Sequence, residues 1–178
     1  SHIIRDHSSQ GVLGYISIIS GKITTHRSLA EEAVDLVMKK LRKKGKCVTN
    51  RAATFGGNIE NYETYVKEKV AFWKGRIDLD KEQIVYLISM FGTNHKKILQ
   101  LALDDQKLQQ KISFFHHDIK AEIIYCLQNE FVVTLGDFLQ RRTGIGSGEG
   151  QGLDCVKEIA IVFKSHFKWS NAVMKKAI

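Results

Sequence analysis

The stretch Ser20-Gly21-Lys22-Ile23-Thr24-Thr25-His26-Arg27 joins two segments with different patterns. Before it, residues 15–19 (Tyr-Ile-Ser-Ile-Ile) are rich in β-branched side chains and predict a short strand. After it, residues 28–44 carry apolar side chains at helical spacing and predict the first helix. The sequence therefore predicts a strand, a glycine turn and a helix start in direct succession.

This turn has the chemistry of an anion site. The first amides of a helix have no carbonyl partner within the helix and lie at the positive end of its dipole. Gly21 allows a ligand to approach the backbone, Lys22 adds an ammonium group, and Thr24 and Thr25 can cap the helix or donate hydroxyls. An ordinary strand-to-helix turn is the alternative, because residues 28–31 (Ser-Leu-Ala-Glu) have the form of a capping box that would start the helix later.

The charge of the chain favours anionic partners. Its 178 residues carry 27 Lys and Arg against 19 Asp and Glu, a net charge of +8. Phosphorylated substrates, anionic membrane surfaces and nucleic acids all fit this balance. The basic segment of residues 39–46 could bind phosphates or a membrane surface, although cations there also complement the helix dipole. No nucleic-acid recognition module accompanies the charge, so we expect no nucleic-acid partner.

The cysteines and histidines do not form a recognisable metal or disulfide pattern. Cys47, Cys126 and Cys155 are isolated, which favours a reducing compartment and hence a cytoplasmic location. Adjacent side chains such as those of His116 and His117 point in different directions on a helix or strand, so we predict no metal site. No apolar run approaches the roughly 20 residues that a membrane span needs.

The remaining pattern predicts a mainly α protein in two parts. Residues 1–46 are predicted to be a strand–turn–helix remnant, and we interpret their irregular start as a cut inside a larger protein. Residues 50–178 are predicted to form an all-helical bundle domain. Helices are predicted at about residues 61–73, 80–91, 95–103, 118–130, 134–142 and 153–167, with a last one from Ser170. Residues 144–152, with five glycines, predict a flexible loop that fits no dinucleotide-binding motif.

Five segments occur together in an order and spacing that resemble one family. They are Arg5-Asp6, Ser20–Arg27, Phe55-Gly56-Gly57-Asn58-Ile59, Phe91-Gly92-Thr93-Asn94 and Leu135-Gly136-Asp137-Phe138-Leu139-Gln140-Arg141-Arg142-Thr143-Gly144-Ile145. Each is similar to a motif of the FAD-dependent glycerol-3-phosphate dehydrogenases and the related glycerophosphate oxidases. Ser20 and His26 depart from the family signature Gly-Gly-Lys-x-Thr-Thr-Tyr-Arg, which has glycine and tyrosine at these places.

The resemblance implies that the chain is the C-terminal part of such an enzyme, with residues 1–46 as a remnant of its flavin domain. These enzymes oxidise glycerol 3-phosphate to dihydroxyacetone phosphate, with FAD passing the electrons to a quinone or another acceptor. By position, Gly21, Lys22, Ile23 and Thr24 would contact the flavin and stabilise charge that develops on it. Lys22 would also be catalytic and lie near the substrate, and Arg5 would bind the substrate phosphate.

The resemblance also implies which partners the chain needs. The phosphate-cradling motif for FAD is missing from these residues, so we expect the isolated chain to bind no FAD and to be inactive. Expected partners are an upstream flavin domain, glycerol 3-phosphate and a peripheral contact at the inner face of the membrane. The alternative is a non-enzymatic helical module that docks on a partner protein or an anionic membrane surface.

Overall fold

A computed structural model describes residues 2–178, which form two compact units. The first unit ends at Thr54 and the second begins at Phe55, a few residues after the boundary predicted between residues 46 and 50. Ser1, which begins the predicted first part, lies outside the described residues. Helices dominate the second unit, and the described sheet is confined to the first, which confirms the mainly helical fold class.

The sheet of the first unit has two antiparallel strands, β1 (His2–Asp6) and β2 (Ile16–Ser20). His2 lies opposite Ser20, and Asp6 lies opposite Ile16. The sequence predicted β2 but wrongly left residues 2–6 without regular structure. β1 is too short to show a clear alternation, and its extended shape depends on the ladder that it forms with β2.

Two polar pairs hold β1 beside the first helix, α1 (His26–Lys40), which follows a 3₁₀ turn at Ile23–Thr25. The imidazole Nε2 of His2 lies 2.9 Å from Oε2 of Glu32, and Nζ of Lys40 donates to Oδ2 of Asp6 at 2.5 Å. Four strand residues span about 13 Å and eight helical residues about 12 Å, so the two pairs match in spacing. β1 and α1 therefore run in the same direction.

α1 begins between the turn and Ser28, the two starts that the sequence left open, and it ends earlier than predicted. The helix begins at His26, and the hydroxyl of Ser28 donates to the carbonyl of Thr25 instead of capping a later start. The helix ends at Lys40 rather than continuing to residue 44, because Arg42 adopts a left-handed conformation with φ of +54°. A turn of this kind closes helices without requiring glycine, although glycine adopts it most easily.

The apolar face predicted for α1 is mostly exposed. Among residues 2–54 only Ala33 is a buried apolar side chain, whereas Val34, Val37 and Leu41 are 57%, 41% and 59% exposed. Ile3 and Ile19, which face each other across the sheet, are both 60% exposed. The sheet and the helix of the first unit therefore carry apolar side chains that are exposed to solvent.

The second unit consists of helices around one hydrophobic core. The helices are α2 (Tyr62–Trp73), α3 (Lys81–Phe91), α4 (His95–Asp104), α5 (Lys120–Asn129), α6 (Leu135–Asp137), α7 (Val156–Phe167) and α8 (Asn171–Ala177). Fully buried side chains from four of them, and from the turn that follows α6, meet in the core, among them Leu87, Ile98, Tyr125, Phe138 and Phe163. The order of the predicted helices is confirmed, and apart from the C-terminal end of α6 their ends differ by up to three residues.

Side-chain caps explain why several helix starts were predictable. Asn61 accepts from the amide of Thr64, Asp80 from Gln83 and Ser170 from Val173, as their positions before helical patterns predict. Thr134 caps α6, but the helix predicted to continue to Arg142 is wrong in form. α6 passes directly into a π-helical turn at Phe138–Arg142.

The glycine-rich segment is more ordered than predicted. It forms two 3₁₀ turns, Ile145–Ser147 and Glu149–Gly152, and buries Ile145. A Cβ at Gly148 would come within 2.3 Å of the His116 ring, and Gly150 has a φ of +76°. Close packing and a left-handed backbone therefore account for glycines that the sequence alone suggested were flexible.

Candidate functional site

The predicted anion turn is accessible in the first unit. Gly21, Lys22, Ile23 and Thr24 are all exposed, with Ile23 at 85%. No side chain caps the start of the 3₁₀ turn, whose first amides are those of Ile23 and Thr24. A Cβ at Gly21 would meet nothing within 4 Å. The turn therefore offers backbone amides and open space to a negatively charged group.

Lys22 and Arg5, the predicted substrate-binding residues, belong to the same sheet-and-turn segment. Arg5 lies opposite Ser17, five residues before Lys22, and both basic side chains are exposed. Within residues 2–178 neither forms an ion pair with a carboxylate. Lys22 lies in one turn with Gly21, Ile23 and Thr24, and the Arg5 side chain forms no hydrogen bond with these four residues.

Asp6, the other half of the Arg5-Asp6 motif, organises the end of β1. Its Oδ1 accepts from the amide and the hydroxyl of Ser8 at 3.0 and 2.7 Å, and its Oδ2 accepts from Lys40. Hydrogen bonds from Lys40 and Ser8 lower the pKa of Asp6 to about 2. The carboxylate therefore fixes the segment next to Arg5, a role that the sequence motif alone did not indicate.

Two of the resembling segments meet in the second unit. The amide of Thr93 donates to the carbonyl of Gly56 at 2.8 Å, and a Cβ at Gly92 would lie 2.0 Å from that carbonyl oxygen. Both glycines have positive φ, +81° at Gly56 and +54° at Gly92. The carbonyl of Gly92 in turn accepts from Nδ1 of His95 at 2.7 Å, because a carbonyl oxygen can only accept. The glycines in these motifs thus permit one tight backbone contact.

The pair Arg141-Arg142 makes structural contacts at the end of one of the resembling segments. Nη1 of Arg141 donates to Asp137 at 2.8 Å, and Nε of Arg142 donates to the carbonyl of Glu130 at 2.9 Å. The Glu130 carboxylate lies 3.7 Å from Nε of Arg142. Arg142 therefore closes the C-terminal end of α5.

Sequence reasoning missed a buried acidic pair. The hydroxyl of Tyr86 donates to Asp118 at 2.7 Å, and the amide of Ile119 donates to Oε1 of Glu122 at 2.7 Å. Burial, followed by the charge of Asp118, raises the pKa of Glu122 well above its ordinary value. The available signal was a pair of acids four residues apart among apolar residues, but only the fold shows that both are buried.

The two histidines beside this pair make separate contacts. Nε2 of His116 lies 3.3 Å from the carbonyl oxygen of Glu149, whereas the ring of His117 lies 6.0 Å from that of Tyr86. Within residues 2–178, no group of three or more His, Cys, Asp or Glu residues could hold a metal ion. In the same part of the chain, no helix is both long and apolar enough to cross a membrane.

Comparison with known proteins supports the family resemblance that the motifs indicate. Residues 47–174 match the family model described as the C-terminal domain of alpha-glycerophosphate oxidase. A glycerol-3-phosphate dehydrogenase of Synechocystis is 31% identical over 180 residues, which cover 100% of this chain and 32% of that protein. An aerobic glycerol-3-phosphate dehydrogenase of Staphylococcus aureus is 32% identical over 148 residues, 79% of this chain and 26% of that protein.

A solved structure extends this likeness to the fold. The glycerol-3-phosphate dehydrogenase from Bacillus halodurans, complexed with FAD, matches with a TM-score of 0.73 at 25% identity. The match covers 90% of this chain and 33% of that protein, so this chain spans about a third of the relatives' length. The chain belongs to the family defined by the C-terminal domain of alpha-glycerophosphate oxidase.

Proposed function

We propose that this chain is the C-terminal region of an FAD-dependent glycerol-3-phosphate dehydrogenase, which oxidises glycerol 3-phosphate to dihydroxyacetone phosphate. The observation that carries the proposal is the exposed, uncapped turn at residues 21–24. This turn lies in a chain that aligns over its whole length with a glycerol-3-phosphate dehydrogenase of Synechocystis. Quinone or another acceptor would take the electrons.

The turn fits one edge of a flavin ring. Its free amides at Ile23 and Thr24 are hydrogen-bond donors, and the space beside Gly21 allows a planar ring to approach. Donors placed in advance where negative charge develops are an effective form of electrostatic stabilisation. In the complete enzyme FAD would supply the hydride acceptor, and an upstream flavin domain would supply the rest of its site.

Lys22 and Arg5 would act on the substrate from this segment. The Lys22 ammonium has no carboxylate partner within residues 2–178, so its charge is available to stabilise the substrate and the developing charge beside it. Arg5 carries a planar guanidinium that suits a phosphate group and can donate two hydrogen bonds to it. Asp6 holds the Arg5 backbone in place through Ser8 and Lys40.

The Lys22→Ala substitution in the complete enzyme tests the proposal. We expect kcat to fall by about 10²–10³-fold, the usual effect of removing one electrostatic catalytic group. Lys67→Ala is the matched control, because Lys67 is an exposed lysine on α2 in the second unit. Unchanged turnover in the Lys22 variant would contradict the assignment.

The isolated chain should bind no FAD, because these residues provide only one edge of the proposed site. Titration with FAD, followed by flavin fluorescence, measures this directly. Tight stoichiometric binding by the chain alone would refute the proposed division of the site between this region and an upstream domain.

We also propose that the end of α1 contacts the anionic inner face of a membrane from the cytoplasm. Six basic residues lie within residues 39–46, and the exposed apolar side chains of Val37 and Leu41 accompany them. Cys47, Cys126 and Cys155 are free thiols, which suits a reducing compartment. Sedimentation with anionic and neutral liposomes tests the contact; equal binding to both, or no binding, would contradict it.

A further inference from the structure

A basic groove lies between α2 and α4, within the second unit. It is open to solvent on one side, has a volume of about 350 Å³ and is lined by Lys69, Phe72, Trp73, Lys96 and Gln100. The three α2 residues follow helical spacing and share one face, as do the two α4 residues. The volume lies at the lower end of the range typical of small-molecule sites.

No acidic residue lines this groove, and its cations have no carboxylate partners. Among the described residues, neither Lys69 nor Lys96 forms a salt bridge, and Nζ of Lys69 lies 5.2 Å from the centre of the Tyr65 ring. A third cation, Arg76, stacks on Phe72 at 4.0 Å. Three positive charges therefore surround an aromatic surface without an internal counter-charge.

Three unpartnered polar groups belong to a ring cluster that includes the groove residue Trp73. Nε1 of Trp73, the hydroxyl of Tyr65 and Nε2 of His95 are buried without a hydrogen-bond partner in residues 2–178. Trp73 is 6% exposed and His95 is fully buried. The His95 ring packs edge-on against Tyr65 and Trp73, with ring centres 5.8 and 6.5 Å apart. Unpartnered buried polar atoms are costly and rare. Nε1 of Trp73 and the Tyr65 hydroxyl can donate hydrogen bonds, Trp73 lines the groove and Tyr65 lies next to Lys69, so these two groups point to a ligand with acceptor oxygens.

The charges of Lys69 and Lys96 both act on the pKa of His95. Burial lowers the pKa of His95, and the charges of Lys96 and Lys69 lower it further, against the opposing effect of its bond to Gly92. An anion in the groove would offset these two charges. The same electrostatics that disfavour a charged His95 therefore favour a negatively charged ligand.

We propose that this groove binds a small phosphate monoester between Lys69 and Lys96. A phosphate monoester carries nearly two negative charges at neutral pH and accepts hydrogen bonds at three oxygens. Lysine binds phosphate well as a point charge, and the indole of Trp73 and the phenol of Tyr65 can donate hydrogen bonds after small side-chain movements. This site is distinct from the flavin turn and does not depend on the proposed enzymatic function.

Calorimetric titration of the whole chain with glycerol 3-phosphate, with Trp73 fluorescence as a local readout, tests the groove. The Lys69→Gln/Lys96→Gln double variant should weaken binding at least tenfold. The titrations are run at about 150 mM salt, where attraction between distant exposed charges is largely screened. The matched controls Lys67→Gln on α2 and Lys97→Gln on α4 should leave the affinity within twofold. Trp169→Phe removes the second indole and assigns the fluorescence change to Trp73.

Two further arms separate this site from other sources of binding. Lys22→Ala, in the first unit, should leave the calorimetric and fluorescence titrations unchanged, whereas loss of binding in this variant would assign the phosphate to the flavin turn and overturn the proposal. Vesicles containing phosphatidic acid test a lipid-borne phosphate, and inorganic phosphate tests the phosphate group alone. Absence of binding to all three probes, or equal weakening by the control variants, would also overturn the proposal.

Discussion

The two units of this chain differ in how much apolar surface each of them buries. Residues 55–178 contain a continuous core that includes Leu87, Phe138 and Phe163, all fully buried. Residues 2–54 have similar helical and strand patterns, but Ala33 is their only buried apolar side chain. A sheet and a helix with exposed apolar faces are typical of elements that another domain covers.

The second unit therefore contributes the stable core of the chain, and the first unit contributes the proposed functional turn. The helical unit has the packing of a domain that folds on its own core. The first unit holds the turn proposed to contact the flavin, and its open surfaces are consistent with completion by an upstream domain. The family model covers residues 47–174, so it coincides mainly with the second unit.

The largest expected effect comes from a core truncation in the second unit. Phe163→Ala should lower the free energy of unfolding by about 3–5 kcal/mol, because it removes a fully buried ring and leaves a cavity. Leu41→Ala, at a site 59% exposed in the first unit, should change it by less than about 0.5 kcal/mol. Urea unfolding followed by far-UV circular dichroism compares them, and equal losses would remove the contrast.

Two glycine substitutions sharpen the same comparison. Gly92→Ala places a Cβ 2.0 Å from the Gly56 carbonyl oxygen at a φ of +54°, so we expect a loss of about 2–4 kcal/mol. Gly21→Ala meets nothing within 4 Å and should leave the thermal midpoint of the chain within about 2 °C. Thermal unfolding of both variants provides the test; a stable Gly92 variant would show that the close backbone contact is wrong.

Glu122→Gln tests the buried acidic pair through pH. Burial raises the pKa of Glu122 in the folded state, so folding favours its protonated form. That contribution is fully present below the unfolded pKa and is lost as pH rises through the folded value. The variant should therefore be more stable than the natural chain at pH 9, by about 1 kcal/mol or more, and not at pH 4. A stability difference that does not vary with pH would contradict this account.

The smallest effect is expected at Asp6, on the exposed pair of the first unit. Its pKa of about 2 means that its stabilising contacts are present above the ordinary carboxyl pKa and are lost as pH falls through 2. Lys40→Ala should raise the pKa of Asp6 toward 3.8, and Lys39→Ala should not change it. NMR titration of the Asp6 carboxyl measures both, and an unchanged value in the Lys40 variant would exclude the pairing.

Local signals account for the parts of the fold that the sequence predicted. Asn61, Asp80, Thr134 and Ser170 each precede a helical pattern, and each caps the helix that follows. β1 was missed because its extended form depends on a partner that lies ten or more residues away. The π-helical turn at Phe138–Arg142 likewise has no local signature that differs from an α-helix.

The candidate site was predictable only in part. The turn at Gly21 and Lys22 was apparent from the strand, glycine and helix pattern, and the resemblance supplied its proposed roles. Burial of Glu122 and of the His95 ring depends on packing between helices that are distant in the sequence. A lone acid or histidine in an apolar stretch does not reveal whether it is covered, so these groups emerged only with the fold.

Amide hydrogen exchange of the intact chain tests the central difference most directly. If the second unit is stable by itself and the first awaits an external partner, core amides of α3, α5 and α7 should exchange at least about 100-fold more slowly than those of β1, β2 and α1. Equal protection in both units would show that residues 2–54 are already complete, and it would contradict this account.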